Sequence, residues 1–138
     1  MAVKVLGIDL GEKRVGVAIS DALGMFAHPL VTLIWKNEET FINDIEKLAT
    51  ENAVEKIVVG VPYTMKGTRS AKTEEVLEII EIMRNKLKIQ IIKIDERLTT
   101  KMAEQAFLAV GKKSSKNRHK IDQVAASYIL QSYLDSIK

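Results

Sequence analysis

Val3-Lys4-Val5-Leu6-Gly7-Ile8-Asp9, Leu10-Gly11-Glu12-Lys13-Arg14 and Val15-Gly16-Val17-Ala18-Ile19-Ser20 read as two apolar runs around a polar turn that contains glycine. Both runs have strand character, so the opening predicts an antiparallel hairpin, and Pro29 to Trp35 adds a third strand. Further along, Phe41, Ile45, Leu48 and Ala49 recur at helical spacing before a short apolar strand, Lys56 to Val61, which Pro62 stops. A second helical pattern at Val76, Leu77, Ile80 and Met83 leads to the strand Ile89 to Asp95. A third helix over about Thr100 to Val110 ends at Gly111, and a basic loop precedes a last helix reaching about Leu134. Three strands followed by helix, strand, helix, strand and helices predict an α/β domain. Its five-stranded mixed sheet has three antiparallel strands, then two parallel ones, flanked by helices.

At 138 residues, 46% apolar and 28% charged, the chain has the size and composition of one globular domain, residues 1–138. The absence of cysteine excludes disulfides, thiolate zinc sites and cysteine nucleophiles, and it fits a reducing cytoplasm. No apolar stretch is long enough to span a membrane. A net charge of +3 permits a polyanionic partner without demanding one.

Three acids stand where elements begin or end: Asp9, Glu96 and Asp122. Asp9 shares a strand face with Val3, Val5 and Gly7. Gly7 and Gly11 either clear space for a phosphate or metal beside it, or serve the hairpin turn with Asp9 as its cap. After the strand Ile89 to Asp95, which is apolar on both faces as expected of an interior strand, alternation separates two adjacent acids. Asp95 continues the face of Ile89, Ile91 and Lys93, whereas Glu96 continues that of Gln90, Ile92 and Ile94. Asp122 lies in the first turn of the last helix, bordering a face made by Ile121, Val124, Ala125 and Tyr128. The helix dipole alone favours an acid there, by roughly 0.3–1 kcal/mol. Ala125 and Ala126 let that helix approach the sheet closely.

Taken together, the three acids sit at positions that a sheet and helix can bring to one edge. Carboxylate oxygens suit Mg²⁺ or Mn²⁺. Two such ions about 4 Å apart activate a water and stabilise the leaving oxygen in phosphodiester hydrolysis, with no side-chain nucleophile. The only histidines, His28 and His119, have neither zinc-type nor serine-type spacing. Basic residues supply the expected phosphate contacts: Lys13 and Arg14 in the turn, and Lys66 and Arg69, clustered with Lys72, after Pro62. Arg97 follows Glu96, and Lys112, Lys113, Lys116, Arg118 and Lys120 lead into Asp122. Aromatic residues are only 5% of the chain, so backbone or shape recognition is expected over base stacking.

Gly7-Ile8-Asp9-Leu10-Gly11 with Lys13-Arg14-Val15-Gly16-Val17-Ala18, Val58-Val59-Gly60-Val61-Pro62, Asp95-Glu96-Arg97-Leu98-Thr99-Thr100 and Lys120-Ile121-Asp122-Gln123-Val124-Ala125-Ala126 together resemble the YqgF (RuvX) family. That family is described as pre-16S rRNA nucleases or Holliday junction resolvases. The resemblance spans nearly the whole chain in order. It implies a ribonuclease H-like fold, an acidic Mg²⁺ or Mn²⁺ site at Asp9, Glu96 and Asp122, and a cytoplasmic role at the 5′ end of the small-subunit rRNA precursor. Branched DNA is the alternative substrate, and a nucleic-acid-binding protein without catalysis is the alternative class. A small-molecule phosphotransferase is opposed by length, since one lobe cannot close around a nucleotide, and no Gly-x-x-x-x-Gly-Lys-[Ser/Thr] loop substitutes for the second.

Overall fold

The computed structural model describes residues 3–96 and 118–137. The expected helix over about Thr100 to Val110 and the basic run through Lys112, Lys113 and Lys116 lie outside the described residues.

Strands β1 (Lys4–Leu10) and β2 (Arg14–Ser20) form the expected hairpin, closed by Gly11 N–H donating to the Arg14 carbonyl at 2.9 Å. β3 (Ala27–Ile34) pairs antiparallel with β2. Helix α1 (Glu38–Glu51), with Asn37 Oδ1 accepting from Thr40 N–H, buries Phe41, Ile42, Ile45 and Ala49 and returns the chain to β4 (Val54–Val61). Helix α2 (Ala71–Lys86) opens with a Ser70/Thr73 capping box and leads to β5 (Gln90–Asp95). The order across the sheet is β3-β2-β1-β4-β5, with β4 parallel to both β1 and β5. The five-stranded mixed sheet is therefore as expected. β5, however, is an edge strand among the described residues, not an interior one. Ile91 is buried on one face and Ile92 and Ile94 pack on the other, while Gln90, Lys93 and Asp95 are exposed. A strand covered on both faces reads as apolar wherever it lies in the sheet, so its place at the edge was not legible.

Strand alternation divides the core in two. Leu6, Ile8, Val15, Val17, Ile57, Val59 and Ile91 pack with α1 and α2 on one face. The other face is covered by α3 (Arg118–Ser136), whose Ala126, Ile129, Leu130, Tyr133 and Leu134 join Val5, Ala18 and Val58. Fully burying each large aliphatic side chain contributes about 1.5–3 kcal/mol, so docking α3 is a major part of stability. The buried stripe of α3 runs through Ala125, Ala126, Ile129, Leu130, Tyr133 and Leu134, whereas Ile121, Val124 and Tyr128 are half-buried. Carried back one turn from Ala126, that stripe places Asp122 over the sheet, not at its border. Gln123 Nε2 donates to Thr32 Oγ1 and Gln131 Oε1 accepts from Ala27 N–H, fixing α3 along β3.

Candidate active site

Asp9 lies near the end of β1 on the face covered by α3. Its neighbour across the hairpin is Gly16, and the parallel register of Ile8 with Val59 brings Gly60 alongside on the other flank. These two glycines shape the site. A Cβ on Gly16 would overlap the Asp122 carbonyl oxygen, so α3 rests directly on the sheet beside Asp9. A Cβ on Gly60 would stand 2.7 Å from Glu96 Oε2 and 3.2 Å from Glu96 Cβ, so the Glu96 side chain occupies the space over Gly60. The three acids thus lie over three adjacent strands: Asp122 over β2, Asp9 on β1 and Glu96 over β4.

Asp9 and Glu96 are in side-chain hydrogen-bond contact. Two carboxyls can share such a bond only by holding a proton between them. Glu96 is buried, and its Oε2 atom has no hydrogen-bond partner among the described residues. Burial pushes the Asp9 carboxyl above its ordinary value. The hydrogen bond from Glu96 opposes that rise, the charge of Asp122 adds to it, and Lys72 at the start of α2 works against it. Glu96 is buried over Gly60 whereas Asp95 is exposed, the separation that alternation expects. Asp122 is held from the other side: Arg14 Nε donates to Asp122 Oδ2 at 2.7 Å, with the two side chains 28% and 20% exposed.

Among the described residues, no three histidine, aspartate or glutamate side chains stand together at metal-binding spacing. Arg14 engages one Asp122 oxygen, while the charge of Asp122 still reaches Asp9. The donor set nevertheless fits a hard divalent cation, since a cation can replace the proton shared by Asp9 and Glu96.

The basic residues divide by position. Lys13 and Arg14 line an open cavity of about 350 Å³ with Gly11, Glu12 and Asp122. Lys66 and Lys120 are exposed, and Arg69 is exposed with a 3.4 Å contact to Glu74. Arg118 lies in the first turn of α3. Arg97, Lys112, Lys113 and Lys116 lie outside the described residues. Lys72 is the member of its cluster whose charge acts on Asp9.

Gly7 and Gly11 have other tasks than clearing space for a ligand. A Cβ on Gly7 would stand 2.6 Å from Leu130 Cβ, so α3 fills that space, while Gly11 belongs to the hairpin turn. The spacers beside Asp9 are Gly16 and Gly60. Their signal in the sequence was glycine within a strand pattern, which marks close approach without naming what approaches.

A family model described as RuvX, Holliday junction resolvase, matches residues 3–136. The chain belongs to the RuvX family. Two RuvX relatives, each named "Putative pre-16S rRNA nuclease", are similar along their whole length. That of Acetivibrio thermocellus is 44% identical over 135 residues, covering 96% of both chains. That of Clostridium novyi is 42% identical over 134 residues, covering 97% of this chain and 99% of the relative. Thermus thermophilus RuvC in complex with a Holliday junction substrate matches with a TM-score of 0.59 at 14% identity, covering 99% of this chain and 96% of RuvC. The fowlpox virus resolvase with Holliday junction DNA gives 0.58 at 13%, covering 97% and 98%. At those identities the two structures show the fold alone, and this RuvX chain has the ribonuclease H-like fold. No helix among the described residues is long and apolar enough to cross a membrane.

The pair at the centre of the site predicts a pH dependence. Because the Asp9 carboxyl is raised in the folded state, its contribution to stability is fully present below its unfolded value. That contribution is lost as pH rises through the folded one. In thermal melts in EDTA between about pH 4 and 8, wild type should therefore lose stability relative to Asp9→Asn as pH rises. A difference between the two that does not change with pH would contradict the raised Asp9.

Proposed function

We propose that this nuclease is divalent-metal-dependent and hydrolyses phosphodiester bonds at the 5′ end of the 16S rRNA precursor, in the cytoplasm. The observation that carries the reading is the placement of Asp122, Asp9 and Glu96 over three adjacent strands, with Asp9 and Glu96 already in contact. Asp9 and Glu96 would hold Mg²⁺ or Mn²⁺, joined by Asp122. When bound, such an ion supplies an activated water and charge stabilisation at the phosphate. Glu96, buried beside Gly60, fixes its carboxylate in one place. Lys72 brings positive charge to the Asp9 side of the site, where it helps neutralise a phosphate. Lys13, Lys66, Arg69 and Lys120 offer cations around this edge, and Arg97, Lys112, Lys113, Lys116 and Arg118 extend the expected phosphate contacts. The precursor-rRNA assignment follows the two relatives over 40% identical along their full length.

Resolution of four-way DNA junctions is the second reading, favoured by the family's description. It requires two sites in a symmetric dimer, whereas an RNA nuclease needs one. Parallel assays with a 16S precursor 5′ end and a four-way junction, in Mg²⁺, Mn²⁺ or EDTA, separate the two. Metal-dependent cleavage of the RNA with the junction intact is expected. Paired symmetric cuts in the junction with untouched RNA would transfer the assignment. Metal-independent binding without any cleavage would indicate a non-catalytic protein.

A further inference from the structure

The ion pair between Arg14 and Asp122 joins a residue expected to bind phosphate to one expected to bind metal. α3 is fixed where this happens: the Asp122 carbonyl lies on Gly16, and Gln123 is hydrogen-bonded to Thr32. Moving the Asp122 carboxylate therefore needs a side-chain rotation, not a shift of the helix. Gly16 pairs with Asp9 across the hairpin, while Arg14 lies two residues along β2 on the same face. The carboxylate is thus bonded to Arg14, and its charge acts on Asp9.

Arg14 also borders the open cavity lined by Gly11, Glu12, Lys13 and Asp122, and only its Nε is engaged among the described residues. The rest of the guanidinium fork is in position to bind a phosphate there, with Lys13 beside it. A phosphodiester in that cavity competes with Asp122 for the same cation. We infer that Arg14 is a substrate-released latch: it holds Asp122 away from Asp9 and Glu96 until a nucleic-acid phosphate takes its guanidinium. Arg14 is then a positioning residue, acting on the metal through Asp122. Nucleic acid tightens metal binding, and by linkage metal tightens nucleic-acid binding by the same factor. The enzyme assembles its full ligand set only when substrate is in place. This inference rests on the metal-site reading above.

Mn²⁺ binding measured by electron paramagnetic resonance tests it without reference to turnover. A short single-stranded RNA serves as the phosphate source, and its own Mn²⁺ uptake is subtracted. RNA should tighten Mn²⁺ binding to wild type by about fivefold or more, the ordinary range for coupled sites. Without RNA, Arg14→Gln should bind Mn²⁺ about as tightly as wild type does with RNA and should gain little from added RNA, and Arg14→Lys should fall between. Folded Arg14→Gln binding Mn²⁺ no more tightly than wild type would overturn the latch. If that variant does not fold, Arg14→Lys decides, and Mn²⁺ binding equal to wild type counts against the inference. Asp9→Asn separates this failure from that of the metal site. Mn²⁺ binding lost in Asp9→Asn but unchanged in the Arg14 variants defeats the latch alone, whereas binding unaffected by Asp9→Asn defeats the site.

Discussion

Asp9→Asn is expected to cut metal-dependent hydrolysis by on the order of 10²–10³-fold or more, the scale on which a single electrostatic stabiliser acts. The same substitution should leave the metal-free fold as stable as wild type at neutral pH, or more stable. The reason lies in the pair. In wild type, Asp9 and Glu96 must share a proton or repel each other in a buried setting, and Asp122 adds to the repulsion. An asparagine amide donates to Glu96 without needing that proton. Wild type should gain thermal stability from Mg²⁺, about 2.7 kcal/mol at a hundredfold excess over its dissociation constant, and Asp9→Asn should gain far less. Activity and stability are therefore expected to move in opposite directions. A variant that loses both would mark Asp9 as structural, and one that keeps its rate would remove it from the chemistry.

Gly16→Ala should be the most damaging single-methyl addition near the site. The added carbon meets backbone, the Asp122 carbonyl oxygen, which cannot rotate away as a side chain can. α3 must lift, and Ile129, Leu130 and Leu134 lose packing with it. A cost of about 1–3 kcal/mol is expected for forced overpacking, lowering the melting temperature by several degrees. Activity falls as well, because Asp122 moves with the helix. Gly60→Ala provides the contrast. Its Cβ meets the Ile129 Cδ1 end at 2.5 Å and Glu96 Oε2 at 2.7 Å, both on side chains that can shift. It should cost less stability yet still reduce the rate, by displacing Glu96. Melting curves and cleavage rates of the two variants check this. Wild-type stability and rate in Gly16→Ala would contradict the close seat of α3.

Much of this architecture was legible in the sequence because it depends on local pattern. Alternation located the strands to within a few residues and assigned Glu96, not Asp95, to the face of Ile92 and Ile94, which is the face α3 covers. Ala125 and Ala126 signalled a closely packed helix, and Ala126 does lie against Gly7. What escaped the sequence depends on where α3 crosses the sheet. Gly7 and Gly11 were nearest Asp9 along the chain, but the spacers that matter, Gly16 and Gly60, are nearest across it. The Arg14 to Asp122 pair joins residues 108 apart, and no spacing rule reaches that far. Periodicity placed Asp122 beside the apolar stripe because Ile121, Val124 and Tyr128 resemble core residues. Only the docked helix shows the stripe passing through Ala126 and Ile129.

On the proposed reading, Asp9, Glu96 and Asp122 form one metal site at this edge of the sheet. Anomalous diffraction from crystals grown with Mn²⁺ and a short RNA tests it most directly. An anomalous peak in direct contact with carboxylate oxygens of Asp9 and Glu96 is expected, with Asp122 turned from Arg14 to join them. Mn²⁺ bound only elsewhere, with Asp9 and Glu96 still hydrogen-bonded to each other beside ordered RNA, would contradict it.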